Sequence, residues 1–125
     1  MPLSNPGRDH IAGAVVGAAV TPFNAANARI GVGNSNTAFA ASQTDLQGAS
    51  KFRKGMEASY PVQSANELVF RATFGTEEAN FAWLEWGVFN AASGGTMLNR
   101  ALESLGTKTS AQTWQLTTTL TFATA

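Results

Sequence analysis

The sequence predicts an all-β protein: an antiparallel β-sandwich of about six to eight strands, with an extended N-terminal arm and one short helix. Three observations predict it. Glu67 to Phe74 and Trp114 to Phe122 alternate with period two and are rich in aromatic and β-branched residues, the mark of half-buried strands. Turn clusters recur at the spacing of a sandwich or small barrel. The chain shows no internal repeat, no heptad pattern and no low-complexity tail.

Taken in order, residues 1–27 read as an arm and small-residue segment, and residues 28–125 as the sandwich. Pro2, Pro6 and Gly7 argue against regular structure over residues 1–9, which offer only Leu3 for burial. Asp9 is placed to cap a short helix over Ile11, Val15 and Val16, weakened by Gly13 and Gly17 at about 1 kcal/mol each. Ala28 to Gly33 reads as a short strand ending at the turn cluster Asn34-Ser35-Asn36. Thr44-Asp45-Leu46 lies in a polar linker, and Lys51-Phe52-Arg53-Lys54 is the only basic cluster. Phe81 to Phe89 is apolar on both faces, Phe81, Trp83 and Phe89 on one, Leu84, Trp86 and Val88 on the other. Such a strand is covered twice. In so small an antiparallel domain the second cover is expected from another subunit, which makes Phe81, Trp83, Trp86, Phe89 and the arm's Leu3 candidate interface residues. Ala91 to Thr96 is a hairpin loop, Met97 to Leu102 the returning strand, and Thr107 to Gln112 a polar turn before the last strand.

Composition narrows the function. At 125 residues with 8 basic and 8 acidic side chains, the chain is one domain of zero formal net charge, without the cationic excess of a nucleic-acid binder. It has no cysteine, so no disulfide, thiolate nucleophile or thiolate metal site, and one histidine, so no site with two imidazoles from one chain. Charged residues are 13% of the chain, about half the usual share, a surface better suited to an assembly than to a free monomer. Ile11 to Val20 is too short to span a bilayer, which takes about 20 residues. A signal peptide is disfavoured because Asp9 neutralises Arg8 and the run holds two glycines and no leucine. No cofactor and no membrane partner are expected.

Each candidate for chemistry has a structural competitor. His10 has no partner set by a nucleophile motif and reads as an exposed arm residue. Glu77-Glu78 would point to opposite faces of a strand and reads as a solvated turn. Glu85 sits within an apolar strand, where an unbonded carboxylate costs several kcal/mol. It reads either as a catalytic acid or, preferably, as a structural carboxylate that pairs with Arg71 or Arg100 or accepts backbone N–H groups of a turn. Gly87, two residues on, would admit a neighbouring backbone or side chain. Gly31-Val32-Gly33 lacks the rest of a dinucleotide fingerprint and reads as a strand end needing glycine torsions. The basic cluster, with Tyr60 nearby, reads as a solvated loop or a contact for an acidic neighbour. Trp83 or Trp86 could stack on a sugar, but odd and even positions place them on opposite faces, one in the core and one at an interface. No enzymatic constellation emerges.

One family pattern is present. ARIGVGNSNTAF, TDLQG and the stretch from Glu67 to Phe122 resemble, in order and spacing, the short β-sandwich domain of tailed-bacteriophage structural proteins of tail-fibre or tail-collar type. The matching positions are Glu85-Trp86-Gly87-Val88-Phe89, Gly94-Gly95-Thr96-Met97-Leu98 and Lys108-Thr109 through Trp114. The resemblance covers neither a fibre shaft nor a receptor-binding tip, so a complete-fibre function is not expected. The resemblance implies a non-enzymatic virion protein assembled in the host cytoplasm, first a capsid decoration or cement protein, otherwise a tail-fibre or baseplate adaptor. The implied partners are other virion proteins and further copies of the chain, as in a trimer. A carbohydrate-binding module is the reading from another class.

Overall fold

The computed structural model describes residues 2–123 and contains one helix and seven strands in two antiparallel sheets. The helix α1 spans Asn5–Val15; the strands are β1 Arg29–Gly33, β2 Lys51–Gly55, β3 Val62–Ser64, β4 Glu67–Phe74, β5 Ala82–Phe89, β6 Met97–Thr107 and β7 Trp114–Thr121. One sheet has the order β2-β1-β5-β6, the other β3-β4-β7. The all-β sandwich expected from periodicity is thus the architecture.

The core lies between the sheets. Ile30, Val32, Trp83, Trp86, Val88 and Leu98 of the larger sheet meet Phe70, Ala72, Phe74 and Leu120 of the smaller. Phe74, Trp83 and Trp114 form an edge-to-face chain with centroids 4.8 and 5.0 Å apart, each pair adding about 0.5–1.5 kcal/mol beyond burial. The basic cluster is not a loop but the strand β2, whose Phe52 packs inward edge-to-face on Phe74 while its three cations stay on the sheet edge. Cations at three of its five positions, two of them adjacent, hide the period-two pattern of a strand.

The arm is extended only over residues 2–4, which lie along β6: Leu3 bridges Asn99, and the Ser4 amide donates to the Leu98 carbonyl at 3.1 Å. Helix α1 starts five residues earlier than Asp9 would place it. Ser4 is the N-cap, its hydroxyl accepting from the Gly7 amide at 3.0 Å, and Pro6 occupies the first turn, where a missing N–H costs nothing. Gly7 lets the helix touch the strand, since a Cβ there would lie 2.1 Å from the Leu98 carbonyl oxygen. The arm sequence therefore encodes a cap and a contact.

Candidate functional site

The centre of β5 carries the most constrained polar group of the molecule. Glu85 pairs with Gly33 of β1 and Leu102 of β6, on the sheet face turned away from the core. Its carboxylate lies over Gly33, where a Cβ would fall 2.3 Å from Oε2. Gly31 and Gly33 thus serve space rather than torsion, for neither has positive φ. Arg100 arrives from β6 opposite Gly87, where a Cβ would stand 2.5 Å from the Asn99 carbonyl oxygen.

Three donors converge on the carboxylate. Arg100 Nε donates to Oε1 at 2.7 Å, the Gln47 amide to Oε1 at 2.9 Å, and the Gly48 amide to Oε2 at 2.7 Å. The guanidinium continues outward through Nη1 to the Thr37 carbonyl at 2.9 Å and to Gln43 Oε1 at 3.2 Å. Both side chains of the ion pair are 0% exposed. Two charges removed from water are tolerable only with such a set of bonds, and breaking one partner typically costs about 3–5 kcal/mol.

These bonds hold down a strap, residues 34–50. Asn34 and Ser50 close its base by reciprocal bonds, each 3.1 Å. Leu46 is pressed against Phe89 and Met97 in a second buried cluster. Asp45 bonds Lys51 Nζ at 2.7 Å and Arg53 Nη2 at 3.3 Å, and the Arg53 guanidinium lies 3.6 Å over the Phe89 ring. The Asn5 amide at the head of α1 donates to Ala41 at 2.7 Å. Burial opposes ionisation of Asp45, but the Lys51 bond, the Leu46 amide and the charges of Lys51 and Arg53 outweigh it and hold its carboxyl below the usual range.

A second polar node closes the far end of the sandwich. Lys108 Nζ, buried, donates to the Gly75 carbonyl at 2.6 Å and to Asn80 Oδ1 at 2.8 Å. Glu78 accepts from Lys54 at 2.8 Å and from the Gly75 amide at 2.7 Å, which hold its carboxyl below the ordinary glutamate value. Glu78 is therefore a structural cap of this turn rather than a solvated side chain.

The expected site residues divide accordingly. Glu85, Arg100 and Gly87 are brought together. Arg71 is not: it lies on β4, where its Nε donates to Thr117 Oγ1 at 2.9 Å and its guanidinium covers Tyr60. Trp83 and Trp86 do not lie on opposite faces. The β5–β6 register shifts between Trp83 and Glu85, and both indoles join the same core cluster, donating to the Ala79 carbonyl and Glu103. At 1% and 8% exposure they offer no sugar platform. Phe89 is buried under Leu46 and Arg53; Phe81 and Leu3 are half-buried against the core. The second cover of β5, expected from another subunit, comes from the chain's own strap.

Gln47, Gly48, Thr37 and Gln43 are parts of the site that residue type and spacing do not point to. The one signal for them is the glycine of Asp45-Leu46-Gln47-Gly48, whose Cβ would strike Asn34 Oδ1 at 2.6 Å. Elsewhere, a groove of about 460 Å³ between α1 and the sandwich is lined by Ile11, Val15, Val20, Phe23, Leu68 and Phe122. His10 at its rim is occupied by the Thr21 carbonyl at 2.7 Å. Among the described residues no three His, Asp or Glu side chains are grouped to hold a metal. The chain matches no protein-family model and no curated protein sequence.

Proposed function

We propose that this chain is a non-enzymatic structural protein of a tailed-phage virion, acting as a capsid decoration protein on the outer shell. The observation that carries the reading is that every motif of the sequence resemblance does a scaffolding task. Glu85 and Gly87 clamp the strap to the sheet. Gly94 and Gly95 take φ of +62° and +66° in the β5–β6 hairpin, torsions that side chains disfavour. Lys108 ties the last turn to the Gly75 and Asn80 turn. The chain's fully buried acid is spent on three structural bonds, and its surface is polar with little charge. A rigid, weakly charged body supports repeated packing against neighbours rather than turnover of a substrate.

The tail-fibre or baseplate adaptor is the second reading, favoured by the tail type of the resembling domains. Quantitative mass spectrometry of purified particles whose genome encodes the chain separates the two. Hundreds of copies per particle is the expected result; a handful assigns the chain to the tail. Particles that lack the chain, or a glycan or ester hydrolysis lost in Glu85→Gln, overturn the proposal.

A further inference from the structure

The four edges of the two sheets are not treated alike. Edge β2 carries Lys51, Arg53 and Lys54, edge β3 is three residues long, and edge β6 is partly covered by residues 2–4 and broken by register shifts. These are the devices that keep a sheet from pairing with another chain. Edge β7 has none of them. It runs eight residues, Trp114–Thr121, without charge, proline or bulge, and pairs with β4 in one unbroken register.

We infer that β7 is a self-pairing edge, on which a second copy of this chain adds its own β7 antiparallel about a two-fold axis through Thr118. The ladder sets the register. Phe122 donates its amide to Asn66 on the β4 side, so by alternation the odd-numbered amides and carbonyls, from Gln115 to Thr121, face outward. A two-fold axis at Thr118 joins Thr117 to the partner's Thr119 and Gln115 to the partner's Thr121, all outward-facing, so every free backbone group of the strand finds a mate.

Side chains agree with this register. Residues that meet across the axis share a face: Leu116 meets Leu120 on the core side, and Thr117 meets Thr119 on the exposed side. With no charge on the strand, a pair of identical copies meets no like-charge penalty. Thr118 would face its own copy as a non-hydrogen-bonded pair, the closer kind. Its hydroxyl is buried and has no partner among the described residues, and a second threonine hydroxyl is a donor and acceptor in one. Trp114 would meet Phe122, which is 44% exposed in the single chain. A gap of about 300 Å³ between Leu3 and Thr119–Phe122 borders this edge and would take the added strand's core-side residues. The inference concerns the fold alone and stands whether or not the chain belongs to a virion. It predicts pairs, where the family resemblance implies a trimer.

The absence of cysteine makes the test simple. Thr118→Cys should form an intermolecular disulfide on mild oxidation, since directly opposed Cα atoms lie about 4.5 Å apart, within disulfide reach. Thr117→Cys should cross-link at least about tenfold more slowly, its copies being diagonal neighbours about 7–8 Å apart. Thr119→Pro removes an outward amide that β4 does not use, so it should weaken self-association at least about tenfold in sedimentation velocity with an unchanged circular dichroism spectrum. Equal cross-linking at positions 117 and 118 would overturn the inference. So would a native chain that stays monomeric at high micromolar concentration or sediments as a trimer.

Discussion

Strands β5 and β7 lie in different sheets of one sandwich and solve burial in different ways. β7 buries one face and leaves Gln115, Thr117, Thr119 and Thr121 in solvent. β5 is buried on both faces, and its outer face is closed not by a layer of regular structure but by the irregular strap over residues 34–50. The difference teaches what each arrangement costs. An alternating strand needs only apolar residues at every second position. A strand buried twice under a loop must also satisfy that loop's backbone, because buried amides without partners are expensive. Glu85 is the answer here: one carboxylate accepts two strap amides, and one arginine neutralises it.

From that contrast, the largest effect belongs to the carboxylate. Glu85→Ala should cost about 3–5 kcal/mol, because it leaves the Arg100 charge buried without its counter-ion and Arg100 Nε and two amides without an acceptor. Urea unfolding with an unchanged slope would read this directly. Next comes the space beneath it. Gly33→Ala should destabilise by about 1–3 kcal/mol, since the added carbon would strike Oε2 of a carboxylate that three bonds hold in place.

A smaller effect is pH-dependent. Glu78 and Asp45 both have folded values below their ordinary ones, so around those values the folded chain binds fewer protons than the unfolded chain. Their contribution is fully present above the ordinary carboxylate range and is lost as pH falls through the folded values. Thermal melts from neutral pH to pH about 3 should show this decline, and Glu78→Gln should flatten part of it. The smallest effect belongs to the exposed face of β7, where Thr119→Ala should change the stability of the single chain by no more than about 0.5 kcal/mol.

The contrast also explains what the sequence makes legible. β4 and β7 are readable because they alternate, and β5 is readable as a doubly buried strand because both its parities are apolar. A carboxylate within that strand signals a structural site with few possible partners. The choice of Arg100 over Arg71 depends on sheet order, which periodicity does not report. Gln47 and Gly48 contribute backbone rather than side chains, so beyond the glycine itself no residue type marks them, 38 and 37 positions before Glu85. Trp83 and Trp86 share a core because a register shift changes the parity that sequence reading assumes. In the arm, Pro2, Pro6 and Gly7 argue against structure, whereas Ser4 and Pro6 begin a helix and Gly7 seats it.

The central claim is that Glu85 locks the strap onto β5 as part of the folded body. Hydrogen exchange at the Gln47 and Gly48 amides measures it most directly. These two loop amides should be protected about as strongly as the core amides of β5, opening only with global unfolding, and Glu85→Gln should speed both selectively. Exchange of both at the rate of an open loop in the native protein, with β5 still protected, would contradict the account.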